Sequence, residues 1–213
     1  MKKGVFITLE GGEGAGKSTL AKALIILLQA KDIPVMLTRE PGGTKEAEAI
    51  RSLVVSGDKD RFDSMTEALL FNAARRHHLR HSILPALENG TWVICDRFVD
   101  STLVYQGYVQ GVDLDFLKAL HRDACENIVP DLTFLLDVPV EVGLRRARGR
   151  QHTISEDRFE QKGYGFHETV RDAFLELAKQ HPNRYRVLDA TLSESDLASS
   201  ATNHLNTVLQ QQS

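Results

Sequence analysis

The sequence predicts an α/β fold, a parallel five-stranded sheet with helices on both faces. Short runs of apolar and β-branched residues alternate with longer stretches of helical period. The runs are apolar at consecutive positions, as strands covered on both sides must be, and glycine, proline or acidic residues punctuate their carboxyl ends.

Val5 to Glu10 is a strand that runs into glycines, and Lys17 to Lys31 carries apolar residues at helical spacing. Pro34 precedes a second strand, Val35 to Thr38, which ends before Pro41-Gly42-Gly43. Helices are expected over 45–56 and 64–89, parted by Ser56-Gly57-Asp58. Trp92 to Cys95 is a third strand closed by Asp96-Arg97, and helical pattern resumes over 113–128. Pro130 leads into a fourth strand, Leu132 to Leu136, closed by Asp137. Then follow a helix from Val140 to Arg148, a polar stretch from Gly149 to Asp157, and a long helix over 158–180. Tyr185 to Leu188 is the last strand and 194–211 the last helix. With no repeat, low-complexity tract or linker, the 213 residues are expected to form one domain.

A chain with 42% hydrophobic and 26% charged residues is expected to fold as a globule. The net charge of -3, with no basic tail, disfavours a nucleic-acid polymer as partner. The apolar run after Met1-Lys2-Lys3-Gly4 is broken at Thr8 and stopped at Glu10, too short for a signal peptide, and no run reaches membrane-spanning length. A cytoplasmic protein with no membrane partner is expected. Cys95 and Cys125 lie in apolar segments without metal or redox spacing and read as buried thiols of a reducing compartment.

The chemistry starts at Gly11-Gly12-Glu13-Gly14-Ala15-Gly16-Lys17-Ser18, which fits G-x-x-x-x-G-K-[ST] between a strand and a helix. Glycines let backbone N–H groups converge on phosphate oxygens at a helix N-terminus, Lys17 reaches the β/γ phosphates, and Ser18 ligates Mg²⁺. Thr19, next on the helix, belongs to the same nucleotide-binding set. A chance match in a chain of this length has a probability of about one in a hundred. The loop therefore binds a nucleoside triphosphate.

In open α/β sheets ligands sit beyond the carboxyl ends of the strands. Three such ends are suggestive: Thr38 to Thr44, Asp96 to Thr102, and Asp137. Asp96 is placed to orient Mg²⁺, while Arg39 and Arg97 offer forks for a second phosphate. For a single arginine a surface salt bridge is the better reading; two beside a phosphate loop shift the balance. Arg145, Arg146, Arg148, Arg150 and Arg158 surround the polar stretch. The first two read as a solvated helix end, and the others as groups that neutralise charge when a lid over about 146–158 closes. Phe71 and Arg75 share a helix face and suit a base, although Arg75-Arg76-His77-His78 also reads as a solvated face; no metal is assigned to its histidines or to His81.

Four spaced motifs resemble the bacterial thymidylate kinase family: Glu-Gly-x-Glu-Gly-x-Gly-Lys at 10–17, Thr-Arg-Glu-Pro-Gly-Gly at 38–43, Leu-Phe-x-Ala-x-Arg at 70–75, and Asp-Arg-Phe-x-Asp-Ser-Thr-x-x-Tyr-Gln-Gly at 96–107. The likeness resumes at Asp157-Arg158-Phe159-Glu160 and at Phe166-His167-Glu168. The resemblance implies a P-loop kinase fold, a homodimer, and Mg²⁺-dependent transfer of the γ-phosphoryl of ATP to dTMP. It implies that Phe71 stacks on thymine and Arg75 meets its 4-carbonyl oxygen. Ser101, Thr102 and Gln106 would surround the base, Tyr105 would lie near the sugar, and Glu13 would face the 3′-hydroxyl. Arg39, Arg97 and Arg51 would hold the acceptor phosphate, with Arg97 also stabilising the transition state. Because Ala15 is not basic, the resemblance puts a catalytic arginine in the lid, Arg150, although Gln151 to Glu156 make this lid longer than in similar enzymes. Adenine would lie near Asp189-Ala190-Thr191. The residues alone leave open a kinase for another nucleotide, or a nucleotide-dependent switch, though no Asn-Lys-x-Asp guanine reader is present.

Overall fold

The computed structural model describes residues 3–58, 61–149 and 162–212, and the side chains among them up to 209. Strands β1 (Phe6–Glu10), β2 (Val35–Arg39), β3 (Trp92–Asp96), β4 (Leu132–Asp137) and β5 (Tyr185–Asp189) form one sheet in the order β2-β3-β1-β4-β5. All pairings are parallel. β2 to β5 each run one residue past the apolar stretch, because the polar closing residues still pair: Arg39 with Asp96, and Asp137 with Asp189.

Alternation along the strands decides what each face holds. Val5, Ile7 and Leu9 pack with Trp92, Ile94, Leu132, Phe134 and Leu136 against the apolar sides of α1 (Lys17–Gln29) and α9 (Glu194–Gln212). The opposite face turns Phe6, Val93 and Cys95 toward the π-helical Leu79–Ile83 that continues α3 (Ser64–His78), and toward α4 (Leu84–Glu88). On that face Leu135 and Tyr185 meet α6 (Leu114–Ala124) and α8 (Tyr164–Gln180). Both cysteines are buried and free.

Side-chain caps set four helix starts. Thr44 accepts from Ala47 N–H ahead of α2 (Lys45–Val55), Asp63 from Thr66 N–H ahead of α3, Asp113 from Phe116 N–H ahead of α6, and Ser193 from Asp196 N–H ahead of α9. The helix expected over 64–89 is not uniform. Pro85 has no N–H, and its ring crowds the carbonyl four residues back, so the preceding turn widens to π. A helix the sequence reading omitted runs through α5 (Val99–Thr102) and a π-helical Leu103–Val109. Val99, Asp100 and every residue from Thr102 to Gly107 are buried, so no amphipathic period marks it. Bidentate contacts of 2.7 and 2.8 Å from Arg184 to Asp100 anchor this helix to the start of β5.

The loop after β1 touches α7 (Val140–Arg148) backbone to backbone. Gly14 has φ +67, and a Cβ there would strike the Gly143 carbonyl; a Cβ on Gly143 would lie 2.5 Å from the Glu13 carbonyl oxygen. Gly143→Ala should therefore displace the loop. Urea unfolding should show a loss of about 1–3 kcal/mol, typical of overpacking, together with weaker nucleotide binding; unchanged stability and affinity would show that the contact is not tight.

Candidate functional site

The loop after β1 opens onto a cavity of about 360 Å³ at the carboxyl end of the sheet. Of the residues singled out from sequence, Glu13, Gly14, Ala15, Gly16, Lys17, Ser18, Arg39, Arg51, Phe71, Arg75, Asp96, Arg97, Ser101, Thr102, Tyr105 and Gln106 line it. Gly11 and Gly12 instead face a much smaller neighbouring cavity with Asp137. Asp137 is held by Arg171 at 2.6 and 2.9 Å, so this third strand end braces α8 and stands outside the main cavity. Thr19 lines neither of these cavities. Arg150 and Arg158, the arginines assigned to the lid with Arg148, lie outside the described residues, and Arg148 is exposed at the end of α7. Arg146, expected to be only a solvated helix end, donates to the Ala190 carbonyl at 2.7 Å and ties α7 to the turn after β5.

Lys17 is buried, and its ammonium donates to the Gly11 and Gly12 carbonyls at 3.1 and 3.0 Å. An ammonium has three donors, so one remains for a ligand. Burial, and then the Arg97 guanidinium, lower the Lys17 pKa, so an added anion would relieve an unfavourable environment. Ser18 is exposed at the start of α1, and Asp96, which lines the same cavity, has its Oδ1 buried with no hydrogen-bond partner among the described residues. A hydroxyl and an unsatisfied carboxylate oxygen are hard oxygen donors, suited to a hydrated divalent cation.

Arg97 occupies the left-handed region, φ +67, which is rare for a residue with a side chain and marks a constrained position. Its guanidinium donates to Glu13 at 2.8 Å and to the Ser101 hydroxyl at 3.2 Å, and lies 5.2 Å from the Tyr105 ring centroid. Ser101 in turn donates to Glu10 at 2.7 Å, and Glu10 also accepts the Phe98 N–H at 2.8 Å. The carboxylate at the end of β1 thus fixes the turn that carries Arg97. Arg39 is half exposed and paired with Glu48 at 3.2 Å, a solvent-screened contact that an incoming phosphate can replace. Arg51 donates to the Pro41 carbonyl at 2.8 Å.

At the other end, Arg75 and His78 are buried while Arg76 and His77 are partly exposed, so the alternative of a solvated face fails for Arg75 and His78 only. The Arg75 Nε donates to Glu40 at 2.7 Å, and a second nitrogen donates to the Phe98 carbonyl at 3.2 Å and the Thr102 hydroxyl at 3.0 Å. Gln106 donates to Glu67 at 3.1 Å. Half-buried Phe71 lies one helical turn before Arg75 on the cavity wall. Sequence reasoning assigned no role to Glu10, Glu40 or Phe98. All three follow or end a strand, where ligand sites concentrate, so their position was the available signal.

The family described as thymidylate kinase matches residues 9–201 of the chain. The thymidylate kinase of Bradyrhizobium sp. strain BTAi1 is 50% identical over 189 residues, 89% of this chain and 84% of the relative. That of Rhizorhabdus wittichii is 46% identical over 195 residues, 91% of this chain and 93% of the relative. The crystal structure of thymidylate kinase from Ehrlichia chaffeensis aligns with a TM-score of 0.75 at 34% identity, covering 95% of this chain and 99% of that one.

Burial, and next the Asp100 carboxylate, push the Glu10 pKa up to about 7 from 4.5. The folded state therefore holds this proton more tightly than the unfolded chain, and ionising it opposes folding. The Glu10 contribution to stability should fall as pH rises from about 4.5 through about 7. Chemical unfolding of the unsubstituted chain and Glu10→Gln across that range should show their stability difference shifting toward the variant as pH rises; a pH-independent difference would contradict the assignment.

Proposed function

The chain belongs to the thymidylate kinase family and transfers the γ-phosphoryl of ATP to dTMP, and from that premise we propose how its own residues divide the work. One observation carries the proposal: the phosphate loop and the arginine-lined, Phe71-bearing wall enclose a single cavity. Donor and acceptor phosphates can therefore meet without leaving it.

The loop from Gly11 to Thr19 takes the triphosphate, with the third Lys17 donor on the β/γ phosphates. Ser18 and the unsatisfied Asp96 oxygen fit Mg²⁺, which when bound neutralises charge on the phosphates. Phe71 stacks on the base and Arg75 donates to its 4-carbonyl oxygen, with Thr102 and Gln106 along its edge. Ser101 acts mainly by holding Arg97, because its hydroxyl is shared between Glu10 and Arg97. Tyr105 and Glu13 border the sugar. Arg39, Arg51 and Arg97 receive the acceptor phosphate, and Arg150 is assigned to the closing lid.

An acceptor phosphate oxygen is already anionic at neutral pH and attacks the γ-phosphorus in line, so no general base is required. The bond to the departing ADP oxygen breaks as the new one forms. Charge shifts toward the leaving and equatorial oxygens, where Lys17 and Arg97 stabilise it. Arg97 can leave Glu13 for the phosphates and free the Glu13 carboxylate for the sugar hydroxyl.

The homodimer reading draws support from Leu53, Met65, Leu69 and Phe116, exposed on the neighbouring helices α2, α3 and α6. A sedimentation mass near 23.8 kDa, that of one chain, would remove it. A cytoplasmic location is supported by the two unpaired thiols. No helix among the described residues is long and apolar enough to cross a membrane.

Lys17→Ala and Arg97→Ala should each lower kcat by about a hundredfold or more, the scale of removing a transition-state donor. Near-normal turnover in either variant contradicts these roles. Side-by-side kcat/KM values for dTMP, dUMP, dCMP and dGMP should favour dTMP, and equal values would contradict base selection by Phe71 and Arg75.

A further inference from the structure

His78 closes α3 three residues after Arg75, and it is fully buried. Its Nδ1 lies 3.1 Å from Glu40 Oε1 and its Nε2 2.7 Å from the Thr38 hydroxyl. Glu40 is buried as well, and its other oxygen takes the Arg75 Nε–H at 2.7 Å. The directions of these bonds are set by chemistry. A carboxylate paired with a guanidinium only accepts, so Nδ1 carries a hydrogen; in the neutral ring Nε2 then accepts from Thr38. The fit is close: Gly43 has φ +83, and a Cβ there would lie 2.5 Å from the Thr38 hydroxyl oxygen and would strike His78 Nε2.

The chain of contacts ends at the cavity. The Nε edge of Arg75 is fixed by Glu40, and one terminal nitrogen by the Phe98 carbonyl and Thr102. Its remaining nitrogen makes a long contact of 3.4 Å, to Asn72, and is the edge best able to donate to a ligand. Where that edge points depends on the Glu40 carboxylate plane together with these contacts, and the 2.7 Å bond to Glu40 is the shortest of them. Glu40 follows edge strand β2, with its N–H on the Asp96 carbonyl, and among the described residues the imidazole is what holds Oε1 against rotation. Without that donor, a buried carboxylate oxygen would be left unsatisfied and the plane would turn to find another partner.

We infer that His78 is a positioning residue for base selection, which acts through Glu40 on the Arg75 guanidinium and takes its own orientation from Thr38. This rests on the reading above that Arg75 meets the 4-carbonyl oxygen of thymine. dCMP carries an amino group in place of that oxygen, so an Arg75 donor aimed there favours dTMP and disfavours dCMP. The role is geometric: a misplaced donor lowers discrimination while leaving the phosphate loop intact.

The test measures kcat/KM for dTMP and dCMP, and KM for ATP, in His78→Leu, His78→Asn, Thr38→Val and Arg75→Lys. His78→Leu should narrow the dTMP/dCMP ratio by about tenfold or more, the scale of a sub-ångström to ångström misplacement of a binding group, with KM for ATP unchanged. His78→Asn, whose amide can replace the Nδ1 donor, should recover most of the ratio. Thr38→Val keeps the imidazole, fills the same space, and should narrow the ratio more mildly, so the inference stays testable even if His78→Leu fails to fold. A role in stability alone would lower the melting temperature and leave the ratio intact; that result, or equal ratios for His78→Leu and His78→Asn, overturns the inference. If Arg75→Lys leaves the ratio unchanged, the base reading falls and this inference with it. If Arg75→Lys collapses the ratio while His78→Leu and Thr38→Val do not, only the inference falls.

Discussion

The ion pair between Arg97 and Glu13, 2.8 Å long, joins the phosphate loop to the turn after β3, and the rest of the site is arranged around it. Neither partner is placed freely. Glu13 sits in a loop whose backbone rests on Gly143, and Arg97 sits at φ +67 on a turn held by Glu10 through Ser101 and the Phe98 N–H. The segments after β1 and β3 thus meet at one guanidinium, with α7 packed behind the loop. Holding it against a carboxylate keeps a partly buried cation paired until phosphates take the carboxylate's place.

Arg75 repeats this arrangement at the other end of the cavity. A carboxylate after a strand, Glu40, fixes one edge of the guanidinium, and backbone and hydroxyl oxygens fix another. Phe98 links the two arginines: its N–H bonds Glu10, its carbonyl accepts from Arg75, and its ring lies 5.2 Å from the Arg75 guanidinium carbon. The residue between Arg97 and the α5 helix therefore ties the phosphate end of the cavity to the base end. Selection of a base and positioning of a phosphate share one short segment of chain.

The sheet was legible because its central strands, buried on both faces, are apolar at most consecutive positions, which leaves a strong mark in sequence. The site was legible where function demands unusual residue types: Gly16-Lys17-Ser18 after a strand, and Arg39 and Arg97 beside polar strand ends. What stayed hidden has physical causes. The helix over 99–109 is buried without a break from Thr102 to Gly107 and so has no polar face to reveal its period. Glu10 and Glu40 act inside the protein on other side chains, and nothing in their local spacing tells a buried partner from a surface carboxylate. The same holds for His78, whose neighbours Arg76 and His77 are partly solvated while it is fully enclosed. Asp137 misled for the opposite reason: a residue at the right end of a strand served Arg171 instead of a ligand.

A crystal structure with dTMP and a non-hydrolysable ATP analogue bound together would show whether one cavity seats both substrates with their phosphates meeting at Arg97. The thymine should lie over Phe71 with its 4-carbonyl oxygen toward Arg75, the analogue's terminal phosphate on the Gly11 to Ser18 loop, and Arg97, released from Glu13, between the two phosphates. A monophosphate seated outside the cavity, or an Arg97 still bound to Glu13 with both ligands present, would contradict this arrangement.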